Sequence, residues 1–111
     1  MKNTTDTTVI CTYRVRQGGE QDFIGLLKQH RQALKACELI CEDPYLVYQG
    51  DDSGSPFFVE IFAWKDTEAP NTAHHHPAIM AVWEPMGKLC EERNGKPSME
   101  FPHVKQLELP R

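Results

Sequence analysis

Three consecutive histidines, His74, His75 and His76, are the densest group of side chains in this sequence that could do chemistry. A neutral imidazole is suited to accept a phenolic or α-carbonyl proton near neutral pH. Successive residues of a helix point about 100° apart, so the three rings cannot all face one site. Metal ligands on a helix are commonly spaced i, i+4 with a third ligand elsewhere, and this run lacks that spacing. The run therefore predicts either an acid–base histidine or one that faces water at a helix N-terminus or turn, and no metal site.

Residues on both sides of the histidines could complete a site around an aromatic ligand. Trp64 ends an apolar segment and Trp83 lies on a helical stripe, so either indole could form a flat wall with an N–H donor, or simply pack in the core. Asn71 precedes His74 by about one helical turn and could hydrogen-bond a ligand oxygen from the same helix face, or face solvent.

Two tyrosines and a further histidine are candidates for substrate binding. Tyr13 and Tyr48 lie in predicted strands and could donate phenolic hydroxyls into a pocket, with packing as the alternative role. His30 interrupts an otherwise apolar helix stripe and is either a satisfied core residue or a pocket ligand. The rest of that stripe is Phe23, Leu27, Leu34 and Cys37.

Glu60 is the single charge in the apolar segment Phe57 to Trp64. A charge that is buried without a partner is costly. We therefore expect Glu60 either to pair with a base such as Arg14 or to act as an acid in the site.

The elements that must position these residues follow from periodicity and turn chemistry. An alternating pattern predicts a strand at Thr8 to Val15, Gly18-Gly19 ends it, and acids from Glu20 onward begin a helix. Pro85 should kink or end the later helix, and Pro102 indicates an edge strand or a bulge. The remaining predicted elements are strands at Tyr45 to Gln49, Phe57 to Trp64 and Met99 to Leu109, a turn at 50–56, and a helix that begins at Asp66 or Thr67 and restarts at Pro77.

The order β, α, β, β, α, β predicts an α+β fold of the ferredoxin-like split βαβ type. In this fold a four-stranded antiparallel sheet carries its helices on one face. Both faces of the strand Phe57 to Trp64 are nevertheless apolar, and two helices cover only one of them. We therefore expect a second copy of the chain to cover the other face, as an isologous homodimer.

Composition sets the outer limits on function. The chain has 111 residues, which fits one domain at 8–111 after a flexible tail at 1–7, and its net charge of −4 without a basic cluster argues against nucleic-acid binding. It has no apolar run of about 20 residues that could span a membrane. Four scattered cysteines and the lack of a secretory signal favour buried thiols and a cytoplasmic location.

Three segments together resemble the antibiotic biosynthesis monooxygenase (ABM) domain family. They are RVRQGGEQDF from the end of the first strand onward, FFVEIFAW followed by KDTEA, and AHHHP before a helix, and the resemblance runs from about Thr8 to Leu109. It implies a dimeric α+β barrel with a ligand pocket between sheet and helices. Family activities include cofactor-independent oxidation of polyketide-like aromatics, haem degradation and isomerisation. His74 best matches the family's helix-borne histidine, with His75 as the alternative.

The haem-degrading branch fits poorly. It typically has an asparagine on the first strand and a tryptophan in the helix where this chain has Thr72 and Ala73. The resemblance instead implies a cofactor-independent monooxygenase that uses molecular oxygen on a small aromatic or polyketide-like substrate, without a cofactor. His74, Asn71 and Trp64 would then be catalytic, and substrate would bind to Tyr13, Tyr48, His30, Trp83 and His75. The alternatives are an isomerase acting on a small carbonyl compound and a non-catalytic ligand-binding dimer.

Overall fold

The computed structural model describes residues 7–110, which form five strands and three helices. The elements are β1 (Thr8–Arg14), α1 (Glu20–Ala36), β2 (Ile40–Asp52), β3 (Ser55–Trp64), α2 (Ala69–His74), α3 (Pro77–Lys88), β4 (Met99–Glu100) and β5 (His103–Val104). Most of the expected flexible tail, residues 1–6, lies outside the described residues. Thr7 donates a hydrogen bond through Oγ1 to the carbonyl oxygen of Trp64 at 2.6 Å.

The strands form one antiparallel sheet in the order β2-β3-β1-β4, and β5 also pairs with β1. The short strands β4 and β5 thus share the edge position beside β1. This order is that of the predicted ferredoxin-like fold, which is confirmed. The register places Glu60 of β3 between Cys11 of β1 and Val47 of β2, at the centre of the sheet.

Helix α1 packs its apolar stripe onto one face of the sheet. Phe23, Leu27, His30 and Leu34 are buried, as their helical spacing predicts. The Phe23 ring lies 5.0 Å from that of Tyr13, between centroids. Glu20 and Asp22 in the first turn and Lys35 in the last complement the helix dipole.

Helix α3 begins at Pro77 as predicted, whereas α2 begins at Ala69, two or three residues after the predicted start at Asp66 or Thr67. The carboxylate of Asp66 accepts the N–H groups of Glu68 and Ala69 at the start of α2, at 3.0 and 2.9 Å. Pro77 opens α3, and the side chain of His76 accepts the N–H of Ala78 at 3.2 Å. The helix does not end at Pro85.

Instead α3 continues through Pro85 to Lys88. Val82 and Met86, on either side of the proline, are buried against the core, and this packing holds the last turn despite the missing N–H.

Two strand boundaries differ from the predictions. Strand β2 begins at Ile40 rather than Tyr45 and runs to Asp52, with a register shift between Ile40 and Tyr45. The predicted strand from Met99 to Leu109 is reduced to β4 and β5, because Pro102 interrupts it. The carbonyl oxygen of Pro102 still accepts the N–H of Ile10 at 3.0 Å.

The two faces of the sheet have different environments. On the face beneath the helices, Phe58, Glu60, Phe62 and Trp64 are buried. The opposite face, which we call the outer sheet face, is apolar but only partly covered in a single chain. Its large apolar side chains are those of Ile10, Leu46, Tyr48, Phe57, Val59 and Ile61.

Within residues 7–110, no helix is long and apolar enough to cross a membrane.

Candidate active site

A cavity of about 240 Å³ lies between the helices and the inner face of the sheet. Strands β1 and β3 supply its floor, α2 and α3 supply one wall, and the C-terminal strands supply another. Its lining is mainly apolar and aromatic, and its polar groups include three imidazoles and one phenol. The lining residues are Val9, Cys11, Tyr13, His30, Phe62, Trp64, Pro70, His74, Trp83, Met99, Phe101 and His103.

Aromatic rings meet around the cavity in edge-to-face arrangements. The rings of Phe62 and Trp64 lie 5.1 Å apart between centroids and nearly perpendicular. His74 and Trp83 meet in the same way at 4.8 Å. Such walls suit a flat, ring-containing ligand, because aromatic side chains pack favourably against a ligand's ring edges and faces.

The Glu60 carboxylate, fully buried behind this cavity, accepts hydrogen bonds from three side chains. Tyr13 donates its hydroxyl to Oε1 at 2.6 Å, and Tyr45 donates its hydroxyl to Oε2. His30 Nδ1 lies 3.0 Å from Oε2 and 3.1 Å from Oε1. Both oxygens of the carboxylate therefore have hydrogen-bond donors, as a buried charge requires.

The tautomer of His30 follows from its second partner, Trp83. The indole Nε1–H of Trp83 lies 2.9 Å from His30 Nε2, and an indole nitrogen can only donate. Nε2 must therefore be the acceptor and carry no proton. A neutral imidazole then holds its proton on Nδ1, where it donates to Glu60. His30 is thus a neutral base with a carboxylate behind it.

The protonation of Glu60 agrees with this arrangement. Burial raises the pKa of the Glu60 carboxyl, but the hydrogen bonds from His30, Tyr13 and Tyr45 favour the anion, and the pKa is lowered. Burial and the neighbouring Glu60 charge raise the pKa values of Tyr13 and Tyr45. Both phenols therefore stay protonated as donors, and Glu60 stays anionic.

Trp64 contributes a donor that has no partner. Its side chain lines the cavity and is 5% exposed, and its Nε1 is buried without a hydrogen-bond acceptor among the described residues. An unpaired buried N–H costs about 1–3 kcal/mol. A ligand oxygen that reaches this group would recover that free energy.

The structure gathers five of the predicted site residues around one cavity. Tyr13, His30, Trp64, His74 and Trp83 all line it. His74 is the one of the three consecutive histidines that lines the cavity, and it does so from an exposed position.

Three other predicted residues do not line the cavity. Asn71 is exposed on α2, and its carbonyl oxygen, rather than its side chain, contacts His75 Nδ1 at 2.9 Å. This back-bonding to the helix turns the His75 ring away from the cavity. Tyr48 is 57% exposed and belongs to the outer sheet face, because it pairs with Val59 one position away from Glu60. A shift of one residue along a strand changes the face.

The expected partner of Glu60 also needs correction. Arg14 does not pair with Glu60; its guanidinium binds Glu100 at 3.1 Å and the carbonyl oxygen of Pro97 at 2.8 Å. The alternation of β1 explains this, since Arg14 points to the side opposite Cys11 and Tyr13. The base that meets Glu60 is His30.

Some functional residues were missed from the sequence. Tyr45 was assigned only to a strand, although it lies two residues from the Glu60 partner Val47 and therefore on the same face. Met99, Phe101 and His103 enter the cavity wall because β4 and β5 bring them back beside β1. Only knowledge of that long-range pairing could have placed them.

The four cysteines are free thiols. Burial raises the pKa of Cys90 to about 11, so this thiol stays protonated. Among residues 7–110, no group of three or more histidine, cysteine or acidic side chains is placed to hold a metal ion.

No protein-family model matches the chain, and no curated protein matches its sequence. Solved structures share its fold at low identity. The cofactor-independent oxygenase SnoaB from Streptomyces nogalater superimposes with a TM-score of 0.69 at 14% identity, over 94% of this chain and 96% of SnoaB. A protein described as an antibiotic biosynthesis monooxygenase superimposes with a TM-score of 0.66 at 12% identity, over 91% of this chain and 98% of its own. A nipsnap family protein of unknown function from Agrobacterium tumefaciens superimposes with a TM-score of 0.65 at 14% identity, over 93% of this chain and 89% of its own. The ABM resemblance is therefore confirmed at the level of the fold.

Proposed function

We propose that this protein is a cofactor-independent monooxygenase that acts on a small aromatic substrate with an acidic ring hydroxyl or its keto tautomer. The observation that carries the proposal is the aromatic cavity, in which the imidazoles of His30 and His74 face one ligand-sized space. The shared fold with SnoaB, a cofactor-independent oxygenase, supports the same reaction class. Fold alone hosts many activities, so the cavity chemistry carries more weight.

The size and lining of the cavity favour a compact ligand. At about 240 Å³ it is smaller than the roughly 300–1,000 Å³ typical of drug-sized ligands. One to three fused rings with a single polar edge fit such a space better than an extended chain. The unpaired N–H of Trp64 offers a donor for the ligand's oxygen.

The reaction needs only a base, a dry pocket and oxygen. A base in the cavity removes a proton from the substrate, and the electron-rich anion delivers electrons to molecular oxygen and forms a C–O bond at a ring CH₂ carbon. Loss of water from the resulting peroxide leaves a carbonyl, so one oxygen atom stays in the product and the other leaves as water. The apolar walls exclude bulk water from the anion, and Trp64 stabilises its negative oxygen.

The outer sheet face supports a homodimer as the working form. Leu46 and Tyr48 are 46% and 57% exposed there, and Phe57, Val59 and Ile61 are only half-buried. A contiguous exposed apolar patch of this kind marks an interaction site in a stable protein. A second copy that packs sheet against sheet covers it in the isologous way. The free thiols fit a cytoplasmic location.

Oxygen uptake tests the function directly. An oxygen electrode should record consumption with an anthrone-type compound, and mass spectrometry in ¹⁸O₂ should find one labelled oxygen in the product. The His75→Gln variant, altered outside the cavity, is the matched control and should behave as wild type. If compounds bind without oxygen uptake but exchange an α-proton in heavy water, the isomerase alternative replaces this proposal. Binding with neither reaction supports a ligand-binding dimer.

A further inference from the structure

The buried Glu60–His30 pair has the arrangement of a base held by a carboxylate. The Glu60 carboxylate receives the Nδ1–H of His30 at 3.0 Å, which fixes the ring's orientation and leaves the lone pair of Nε2 on the other side. The two side chains are 0% and 2% exposed, so the pair is shielded from solvent screening. A carboxylate in this position orients the imidazole and stabilises the imidazolium that forms when Nε2 takes a proton.

His30 reaches the substrate space, whereas Glu60 does not. His30 lines the cavity and Glu60 lies behind it, among the hydroxyls of Tyr13 and Tyr45. Glu60 can therefore act only through a partner that lines the cavity, and of its two such partners, Tyr13 and His30, the imidazole of His30 is the basic one. Glu60 is thus a positioning residue for His30.

Trp83 donates a hydrogen bond to the basic nitrogen of His30. Its indole N–H donates to His30 Nε2 at 2.9 Å, and its half-buried ring also forms part of the cavity wall. An O–H donor that enters the cavity can satisfy the same lone pair if the indole rotates aside. The site thus already holds a donor where a substrate hydroxyl would bind.

We propose that His30, rather than His74, is the general base of this site, with Glu60 as its positioning residue and the Trp83 N–H as the group that a phenol or enol hydroxyl replaces. The inference rests on the proposed function, since it assigns the base of that reaction. The O–H bond of the ligand breaks, its proton moves to Nε2, and its electron pair stays on oxygen. The product is a phenolate or enolate beside an imidazolium paired with the Glu60 carboxylate.

His74 has a different environment. It is exposed at the cavity mouth, where its ring packs edge-to-face against Trp83 at 4.8 Å. Among residues 7–110, no acidic side chain forms an ion pair or hydrogen bond with His74. The contact with Trp83 suits an entrance residue that supports the indole, and the buried ring of His30 suits a proton acceptor.

The test uses 4-nitrophenol, whose phenolate absorbs at longer wavelength than the phenol. With saturating protein at a pH about one unit below the ordinary pKa of the probe, we expect wild type to ionise several-fold more bound probe than free solution does. His30→Gln should lose that excess while still binding the probe. His75→Gln, outside the cavity, should keep it. Trp83→Phe, which removes the competing donor and retains a ring, should ionise at least as much as wild type.

Oxygen uptake with an anthrone-type compound is measured on the same variants. For a general base we expect His30→Gln to lower kcat by about 10²–10⁴-fold. If folded His30→Gln, checked by circular dichroism, ionises the probe like wild type or retains oxygen uptake, the assignment of His30 is overturned while the monooxygenase proposal stands. If wild type ionises the probe through His30 but consumes no oxygen with any substrate, the base assignment stands and the oxygenase proposal fails.

Discussion

The indole N–H of Trp83 meets the Nε2 of His30 at 2.9 Å, and this single contact fixes the proton on the opposite ring nitrogen. The proton on Nδ1 then faces the Glu60 carboxylate. The polar centre of the cavity is therefore a directed chain of hydrogen bonds, from Trp83 through His30 to Glu60. Tyr13 and Tyr45 complete the shell around the carboxylate.

Replacing Glu60 by Gln should destabilise the fold. The Gln amide presents a donor to at least one of the three donors that now point at the carboxylate, which leaves a buried group unpaired. We expect a loss of about 2–3 kcal/mol in the free energy of unfolding at neutral pH, measured by urea denaturation. Glu92→Gln, on the surface, is the control and should change this free energy by less than about 0.5 kcal/mol.

The same variant should respond differently to acid. Because the folded pKa of Glu60 lies below its ordinary value of 4.5, its charge stabilises the protein above that pH, and the contribution is lost as pH falls through the folded pKa. The difference in the free energy of unfolding between wild type and Glu60→Gln should therefore be largest at about pH 7 and smaller at about pH 3. A gap that widens in acid would mean that Glu60 is protonated in the native state.

Much of this centre could be anticipated from two irregularities in the sequence. Glu60 is the lone charge in an apolar strand, and His30 is the lone polar residue in an apolar helix stripe. Burying either side chain without a partner would cost free energy. Because the helix packs on the strand, the two side chains can meet, and each then supplies the hydrogen-bond partner that the other needs. Sequence reasoning sought the partner in Arg14 because it is a formal base, although strand alternation places Arg14 on the other face.

The limits of the sequence lie in long-range pairing and in exact strand boundaries. The order of elements was enough to predict the ferredoxin-like fold. It could not show that β4 and β5 bring Phe101 and His103 to the cavity. Tyr48 was misplaced because side-chain direction in β2 depends on its pairing register with β3, which local periodicity leaves open.

Trp64→Phe should reduce recognition of a ligand's hydroxyl. Trp64 lines the cavity and its buried Nε1–H has no acceptor among residues 7–110, and phenylalanine keeps a ring there without that donor. We expect the preference for 1-naphthol over naphthalene, measured by calorimetry, to fall about 3–10-fold, the value of one hydrogen bond. Naphthalene binding should change little. An equal loss of binding affinity for 1-naphthol and for naphthalene would show that Trp64 acts through packing alone.

Leu46→Glu should break the proposed dimer. Leu46 is 46% exposed on the outer sheet face, so the charge is tolerated in a single chain but not between two sheets. Light scattering should give twice the 12.7 kDa chain mass for wild type and the single mass for the variant. Met80→Glu is the matched control, because Met80 is 42% exposed on α3 and should leave the dimer intact. A monomeric wild type at micromolar concentration would contradict the dimer.

Two glycine substitutions should have opposite effects on stability. A Cβ on Gly50 would lie 2.3 Å from Cζ of Phe57, so Gly50→Ala forces that ring off the strand and should cost about 1 kcal/mol. Gly25 lies within α1 with open space around it, so Gly25→Ala should add about 0.5–1 kcal/mol through helix propensity. Thermal unfolding of both variants shows whether the melting temperature falls for Gly50→Ala and rises for Gly25→Ala. The prediction fails if Gly50→Ala is as stable as Gly25→Ala.

The most direct test of the proposed acid–base chemistry is the protonation of His30, observed by long-range ¹⁵N–¹H NMR of the imidazole rings. In the free protein at neutral pH, His30 should show a proton on Nδ1 and a bare Nε2, as its contacts with Glu60 and Trp83 require. Saturation with 4-nitrophenol should convert it to the form protonated on both nitrogens, with the probe bound as phenolate. A His30 ring that stays neutral beside an ionised probe would contradict its role as the base.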